Sequence, residues 1–453
     1  MMPSRTFLCA ISMSLVAVVG CGDDAQTTTS TSSSSGSSSG DGGTGGSGGN
    51  AGGMGGAGGG TGGMGGAGGG GGGMAGSGGG TGGMGGAGGG GAGGMGGGGG
   101  AGGGGQMCSP EGPFDGAPVT APDNTWTWVP VPEAKCRTGS ATGFGIRINP
   151  NSTKLVIYLQ GGGACFNGLT CTANPGSYGS GNFGNGPSGG LFSTSNNENP
   201  LKDWSFVYVP YCTGDVHAGN ATGVDVPGGL APKNQSFVGY ANIGHYLKRI
   251  IPTFKNVTQV LLTGESAGGF GAFYNYDRVA QAFCPTPVSL IDDSGPPMTD
   301  TYMTPCLQER WRTLYNLNAT LPAGCADCAL PNGGGLVNAW KHLALKYPTA
   351  HLGVVSSTRD NTIRQFYGFG ANNCANIDGF AGSLSEAQYT AGLAEIRDMF
   401  LQPSPAWSSY YINATTHTYL GGNGYYNTTV GGTALTTWTA GIVDGAAAAH
   451  IGP

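Results

Sequence analysis

Residues 258–271 read TQVLLTGESAGGFG, and this stretch decides the fold of the chain. The apolar run at 257–263 predicts a buried strand, and residues 267–283 have the spacing of a helix. Between them lies GESAG (264–268), a G-x-S-x-G motif in the strand–turn–helix context of a nucleophilic serine. Such a turn lifts the Ser266 hydroxyl above the sheet at a helix start, where free N–H groups favour developing negative charge. The context favours catalysis over a structural glycine turn.

Strands and helices alternate on both sides of this motif. Residues 235–252 and 385–401 carry apolar residues at helical spacing, whereas short continuous apolar runs predict strands. The predicted strands cover residues 154–160, 204–212, 257–263, 287–291, 351–357 and 408–413. Because the best strands are apolar on both faces, we expect a mostly parallel central sheet with helices on both faces. The sequence therefore predicts the α/β class and, with the motif, an α/β-hydrolase fold.

A nucleophilic serine needs a base, and the chain has 6 histidines. In α/β-hydrolases the chain order is Ser, acid, then His in a loop after the final strand. His417 fits this position, and His450, three residues from the end of the sequence, is a distant second. His217 lies upstream of the nucleophile in YCTGDVHAG (211–219), so His217 and its neighbour Asp215 are candidate substrate-pocket residues. We predict His417 as the base.

The acid that orients the histidine should follow a strand between Ser266 and His417. Asp360 lies just past the fifth predicted strand, and Asp292 and Asp293 lie past the fourth. The later position is the commoner one for the acid of a triad, which holds the imidazole tautomer and stabilises the imidazolium. We therefore predict Asp360 as the acid, and a turn-capping or pocket-wall role for the other two.

An oxyanion hole needs backbone N–H donors. Ala267, the residue after the nucleophile, supplies one of them. The turn GGGA (161–164) follows the first predicted strand and resembles the glycine-rich oxyanion turns of lipases. Small residues there let the backbone approach a substrate carbonyl closely.

Residues 1–21 read MMPSRTFLCAISMSLVAVVGC, with one basic residue before an apolar core that is too short to span a membrane. The end of this stretch is similar to a bacterial lipobox. We expect residues 1–20 to be a signal peptide and Cys21 to be lipidated. The alternative is an ordinary cleaved signal peptide in which Cys21 is incidental. Lipidation predicts an exported protein of the bacterial cell envelope, anchored in the outer membrane or at the cell surface.

Glycine accounts for 96 of 453 residues and is concentrated in residues 41–105. A Ser/Thr-rich segment follows Cys21, and then units such as TGGMGGAGGG (61–70) repeat about every ten residues. No unit has enough apolar side chains to stack as a solenoid, so residues 22–107 are predicted to be a disordered linker. Residues 108–453 hold the predicted globular domain.

The charge and the cysteines of the chain limit the partners and ligands that it can bind. Charged residues make up 9% of the chain, with a net charge of −6 and no basic run, which excludes a nucleic-acid binder. Ten of the cysteines lie in residues 108–453, and an even set in an exported chain indicates up to five disulfides. The pair in CADC (325–328) lacks the partners of a zinc site. We expect no metal and no organic cofactor.

Seven segments occur in an order that is typical of a known family. They are LQGGGACFN (159–167), NPLKDW (199–204), VPYCTGDVHAG (209–219), TGESAGGFG (263–271), DDSGPP (292–297), the segment around Asp360, and YYINATTHTY (410–419). Together they resemble the pectin acetylesterase / Notum family of serine carboxylesterases, over roughly residues 110–440. Members of this family are α/β-hydrolases that remove acyl esters with a Ser-Asp-His triad.

The resemblance implies roles for particular residues. Ser266, Asp360 and His417 would form the triad. Their oxyanion donors would be the N–H groups of Gly162, Gly163 and Ala267. A local disulfide would join Cys165 to Cys171. The chain departs from the family at Gln160 and Ala164, where family members commonly carry Glu and, in or just after the glycine turn, Trp.

The expected function is that of a monomeric serine carboxylesterase that removes O-acetyl or other short acyl groups from polysaccharide such as pectin. Its partners would be the acetylated polysaccharide or another ester, and the membrane through the N-terminal lipid. One alternative is a Notum-like deacylase of lipid or longer acyl chains. Another is a catalytically inert surface adhesin or glycan-binding lipoprotein.

Overall fold

The computed structural model describes residues 108–453. The expected signal peptide (1–20), the lipidation site Cys21 and the predicted linker (22–107) lie outside these residues. Within the described part, no helix is both long and apolar enough to cross a membrane.

Residues 108–453 contain thirteen strands and eleven α-helices. The strands are β1 (Thr127–Lys135), β2 (Ala141–Arg147), β3 (Lys154–Leu159), β4 (Ser205–Val209), β5 (Ala221–Val224), β6 (Gln235–Phe237), β7 (Gln259–Glu265), β8 (Val288–Asp293), β9 (Leu352–Ser357), β10 (Trp407–Ile412), β11 (Thr429–Val430), β12 (Thr433–Ala434) and β13 (His450–Ile451). The helices are α1 (Gly168–Thr172), α2 (Ser180–Phe183), α3 (Gly239–Thr253), α4 (Ala267–Phe283), α5 (Pro305–Tyr315), α6 (Ala339–Lys346), α7 (Asn361–Gly368), α8 (Ala371–Cys374), α9 (Glu386–Ile396), α10 (Gly424–Asn427) and α11 (Leu435–Asp444).

Nine of the strands form one central sheet in the order β1-β2-β4-β3-β7-β8-β9-β10-β13. From β4 to β13 neighbouring strands are parallel, and β1 and β2 add antiparallel pairs at one edge. The carboxyl ends of the parallel strands lie along the same edge of the sheet, which is where α/β proteins place their sites. The predicted mostly parallel α/β sheet is confirmed.

Side chains of β7 alternate between two apolar cores, one on each face of the sheet. Val260 and Leu262 belong to a core that also contains Phe273 of α4. Leu261 belongs to a second core with Trp438 of α11. Because both faces are buried, the strand is apolar along most of its length, which is the pattern that identified it.

The six predicted strands all exist, with ends shifted by a few residues, and helix α4 has the predicted bounds 267–283. The sequence patterns do not predict the edge strand β1 or its neighbour β2. Strand β1 contains Pro130 and Pro132 and alternates between exposed and buried residues, and proline is tolerated only at such edges. Strand β13 has two residues and leaves no pattern to read.

All ten cysteines of the described residues are paired. The disulfides are Cys108–Cys284, Cys136–Cys212, Cys165–Cys171, Cys306–Cys374 and Cys325–Cys328. The third of these is the pair that the family resemblance implies. The fifth joins the two cysteines of CADC, so their sulfurs are not available as metal ligands.

Candidate active site

Ser266 occupies the sharp turn between β7 and α4. Its backbone has φ 56° and ψ −122°, a left-handed conformation that costs a non-glycine residue about 1–3 kcal/mol. Two hydrogen bonds hold it there: the Ser266 N–H donates to the Asp293 carbonyl at 2.7 Å, and the Phe270 N–H donates to the Ser266 carbonyl at 3.1 Å. The strained turn is therefore held by both the neighbouring strand β8 and the first turn of α4.

The two glycines of the motif are required by close backbone contacts. A Cβ on Gly268 would lie 1.9 Å from the Leu159 carbonyl oxygen, and one on Gly264 would lie 2.4 Å from the Gly268 carbonyl oxygen. Neither position can accommodate a side chain while the helix packs so near to β3. This contact explains why the motif has glycine two residues before and after the serine.

His417 and Asp360 are joined by a hydrogen bond of 2.7 Å between Nδ1 and Oδ2. The Asp360 carboxylate is fully buried and caps helix α7, because its Oδ1 accepts the N–H groups of Thr362 and Ile363, both at 2.8 Å. In the neutral imidazole the proton therefore lies on Nδ1. The other ring nitrogen, Nε2, is buried and has no hydrogen-bond partner among the described residues. It is free to accept a proton.

The surroundings of His417 tune its pKa. Burial alone would lower it, but the hydrogen bond to Asp360 and the negative charges of Asp360, Asp293 and Glu265 outweigh burial, so the pKa lies above the usual 6.5. Three carboxylates thus favour the imidazolium form. This is the form that a general base reaches after it takes a proton.

The alternatives to Asp360 and His417 have other partners. Asp293 accepts the backbone N–H groups of Tyr419 and Leu420. Asp292 accepts the N–H of Gly295. His450 bonds to Ser409 through Nδ1. None of these contacts joins an acid to an imidazole.

The glycine turn after β3 passes against Ser266. A Cβ on Gly161 would lie 3.0 Å from Cβ of Ser266, so the turn and the serine are in contact distance. Gly162 and Gly163 have φ of 153° and 79°. These left-handed values suit glycine and let the backbone fold over the serine.

Side chains from other segments hold the carbonyls of this turn. Asn174 donates its Nδ2 to the Gly162 carbonyl at 2.6 Å, and the Tyr211 hydroxyl donates to the Gly163 carbonyl at 2.7 Å. Because a trans peptide is planar, holding a carbonyl also fixes the direction of the next N–H, on the opposite side. The N–H of Gly163 is fixed in this way. Ala267 is the first residue of α4, where backbone N–H groups lack helical acceptors.

Asp215 and His217, the expected substrate-pocket residues, are not among the residues that line the pocket beside Ser266. Both are buried, with 0% and 2% of their surface exposed, and the residue between them, Val216, is the one that reaches the pocket. Burial lowers the pKa of His217 to about 4, so its ring is neutral. Its Nε2 lies 2.8 Å from the Gln160 carbonyl, at the start of the glycine turn.

The pocket beside Ser266 is apolar and small, with an enclosed volume of about 10 Å³, and it opens to solvent. Its walls are Gly163, Ala164, Val216, Ala267, Phe270, Trp311, Ile363, Phe366 and Tyr367. Most of the aromatic side chains come from α5 and α7, which no sequence pattern indicated as parts of the site. Trp311 could have been noticed as an aromatic residue in PCLQERWRTLY (305–315), a segment with helical spacing. Within residues 108–453, no group of three or more His, Cys, Asp or Glu side chains is placed to hold a metal ion.

Comparisons with known proteins give matches in a family model, in sequence relatives and among solved structures. A family model described as Pectinacetylesterase matches residues 124–329, a range that includes Ser266 and ends before Asp360 and His417. The chain is 31% identical over 153 residues to palmitoleoyl-protein carboxylesterase notum2 of Xenopus laevis, which covers 32% of this chain and 30% of the relative. It is 30% identical over 156 residues to palmitoleoyl-protein carboxylesterase NOTUM of Homo sapiens, with coverage of 32% and 30%. The matched part thus spans less than a third of these relatives.

The fold has a match among solved structures. The Wnt deacylase Notum from Drosophila superposes with a TM-score of 0.54 at 18% identity, over 71% of this chain and 95% of that chain. The family model covers five of the seven ordered segments, and those around Asp360 and at 410–419 lie beyond its match. The chain is thus similar to pectinacetylesterases over residues 124–329 and to Notum carboxylesterases over about a third of its length, and it shares the fold of a solved Notum structure.

Proposed function

We propose that this protein is a serine carboxylesterase whose triad is Ser266, His417 and Asp360. The observation that carries the proposal is the buried Asp360–His417 hydrogen bond, which leaves Nε2 unpaired in a site whose serine occupies a strained elbow. The relatives that match the chain are named carboxylesterases, which supports the same chemistry.

The reaction follows from these groups. As the Ser266 hydroxyl oxygen attacks the ester carbonyl carbon, His417 Nε2 takes the hydroxyl proton, and Asp360 stabilises the resulting imidazolium. The carbonyl oxygen becomes an oxyanion, which the N–H groups of Gly162, Gly163 and Ala267 stabilise. When the tetrahedral intermediate collapses, the alcohol leaves with the proton from His417. Water then attacks the acyl-enzyme by the same steps and releases the carboxylic acid.

We further propose that the acyl group is short, with O-acetylated polysaccharide such as pectin as the substrate class. The size of the pocket supports this. The pocket beside Ser266 has an enclosed volume of about 10 Å³, roughly the room for one water molecule. An acetyl ester has a single methyl group beyond its carbonyl, whereas a palmitoleoyl chain would need many times that volume. The apolar aromatic lining is the observation that favours the second candidate, a deacylase of longer acyl chains.

One experiment tests the chemistry. The mature full-length protein is treated with a fluorophosphonate probe and assayed for p-nitrophenyl acetate hydrolysis, beside Ser266→Ala and the control Ser152→Ala at the opposite end of β3. The wild type and the control should label and hydrolyse, and Ser266→Ala should do neither. Activity that survives in Ser266→Ala would sink the mechanism. An unlabelled wild type would favour the inert adhesin.

A second experiment separates the acyl classes. Rates are compared across p-nitrophenyl esters from acetate to palmitate, and acetate release is measured from acetylated pectin. Short-chain preference with acetate release supports the proposal. A preference for chains of ~8 carbons or more supports the longer-chain deacylase.

We also propose that Cys21 carries a lipid that attaches the protein to the bacterial cell envelope. Expressed in a bacterial host, the wild type should fractionate with membranes and take up labelled fatty acid, and Cys21→Ala should do neither. A wild type that incorporates no fatty acid would leave an ordinary cleaved signal peptide as the explanation of residues 1–20.

A further inference from the structure

Asp293, at the end of β8, contacts both halves of the site. Its backbone carbonyl accepts the Ser266 N–H at 2.7 Å. Its carboxylate Oδ2 accepts the N–H groups of Tyr419 and Leu420, both at 2.7 Å. These two residues come directly after His417 and Thr418. A single residue therefore bonds the turn that carries the nucleophile and the loop that carries the base.

Asp293 is itself held firmly. It is fully buried, and it is paired in the sheet with Glu265 of β7 on one side and Val355 of β9 on the other. The Ser294 hydroxyl donates to its Oδ1 at 2.9 Å. The carboxylate thus accepts three hydrogen bonds, and bonds to an ionised acceptor are the strong ones. Moving the His417 loop requires breaking two of them.

We propose that Asp293 is a positioning residue that sets the distance between Ser266 and the His417 loop. This inference rests on the proposed esterase function and goes beyond its triad. Asp293 touches no substrate in this scheme. It acts because proton transfer depends steeply on placement, and a misplacement of about 1 Å can cost ~100-fold in rate.

The negative charge of Asp293 affects the pKa of His417, which a purely structural role of Asp293 would not. Three carboxylates face His417: Asp360 from the start of α7, Asp293 from β8 and Glu265 from β7. All three raise the pKa of His417. Asp293 is buried and lies near the negative charge of Glu265. Burial and this charge raise the pKa of Asp293 to about 6, so Asp293 is mostly ionised at neutral pH. Removing its charge should lower the pKa of His417.

The test compares Asp293→Asn, Asp293→Ala and the control Asp292→Asn in the full-length protein. The control makes the same change at the preceding buried residue, whose carboxylate bonds Gly295 and does not contact the His417 loop. For Asp293→Asn we expect kcat to fall ~10-fold, KM to stay within about twofold, and the acid limb of kcat/KM to move down by about half a pH unit or more. Asp293→Ala, which leaves two N–H groups without an acceptor, should lose ~100-fold or more in kcat. Asp292→Asn should leave the acid limb in place.

The outcomes separate this inference from the proposed function. If hydrolysis depends on Ser266 but Asp293→Asn keeps the wild-type kcat and acid limb, only the role of Asp293 falls. If Asp293→Asn loses thermal stability and kcat together with no shift of the acid limb, the residue is structural and the inference is overturned. If Asp293→Ala does not fold, the isosteric Asn variant still decides. If activity does not depend on Ser266, the proposed esterase function itself is wrong, whatever the Asp293 variants show.

Discussion

Replacing Asp360 with asparagine should reverse the tautomer of His417 while the fold stays intact. Asp360 Oδ1 accepts the N–H groups of Thr362 and Ile363 at the start of α7, and Oδ2 accepts the imidazole Nδ1–H. In Asp360→Asn the amide oxygen must accept the two N–H groups of α7, because an NH₂ group in that position would point its hydrogens at two other donors. The amide NH₂ therefore faces Nδ1 and donates to it, and the ring proton moves to Nε2. A histidine protonated at Nε2 cannot accept the serine proton.

The size of the effect follows from this inversion. Loss of the correct tautomer lowers kcat by about 10⁴, which corresponds to ~5.5 kcal/mol of transition-state stabilisation. The helix cap is retained, since an asparagine oxygen caps nearly as well as a carboxylate. The free energy of unfolding should therefore change by only about 1 kcal/mol.

The assay measures p-nitrophenyl acetate turnover at pH 8 and the melting temperature of the same preparation. Asp277→Asn is the control, because Asp277 is another buried carboxylate and pairs with Lys346 away from the pocket. A loss in Asp360→Asn smaller than ~10-fold, with a native melting temperature, would refute the tautomer reasoning. A large loss in the control would show that the assay reports on folding instead.

Three further predictions concern the same site. The kcat/KM of the wild type should fall as the pH drops through a midpoint above 6.5, because a protonated His417 ring is inactive. The midpoint lies above 6.5 because the carboxylates around His417 raise its pKa more than burial lowers it. A measured midpoint at or below 6.5 contradicts this prediction. Gly268→Ala, whose Cβ would meet the Leu159 carbonyl oxygen at 1.9 Å, should lower the free energy of unfolding by ~3 kcal/mol or more. Gly441→Ala in α11, whose Cβ would make an ordinary contact with Ala446 at 3.6 Å, should change it by about 1 kcal/mol or less in denaturant titrations. Phe366→Ala should enlarge the pocket and raise the rate on hexanoyl relative to acetyl esters ~10-fold, and an unchanged ratio would show that the acyl chain lies elsewhere.

The parts of the site that local sequence determines could be predicted. Strand β7, the elbow and α4 follow one another in the chain, and burial on both faces leaves continuous apolar runs that are easy to recognise. The start of α4 could be predicted because its first residue follows a turn in which close backbone contacts leave room only for glycine. Asp360 and His417 could be chosen because each follows a predicted strand, and parallel strands bring their carboxyl ends to one edge.

The pocket walls could not be predicted, because their positions depend on packing between distant segments. Trp311 and Phe366 lie on helices that are far from Ser266 in sequence and have no motif of their own. The same holds for Asn174 and Tyr211, which hold the glycine turn through contacts to its carbonyls. The loop around His217 contacts the start of the glycine turn, and its polar side chains Asp215 and His217 are buried, which the sequence around them does not indicate.

The disulfide between Cys108 and Cys284 has a mechanical consequence. It ties the first described residue of the chain to the residue that follows the last turn of α4, whose opposite end begins next to Ser266. A pulling force applied at Cys108 therefore passes through a covalent bond into the end of a buried helix, and residues 109–126 are bypassed. The point of load and the nucleophile are separated by a helix of 17 residues, ~25 Å at 1.5 Å per residue. In the lipid-anchored protein proposed above, tension from the anchor would therefore enter α4 at the end remote from Ser266.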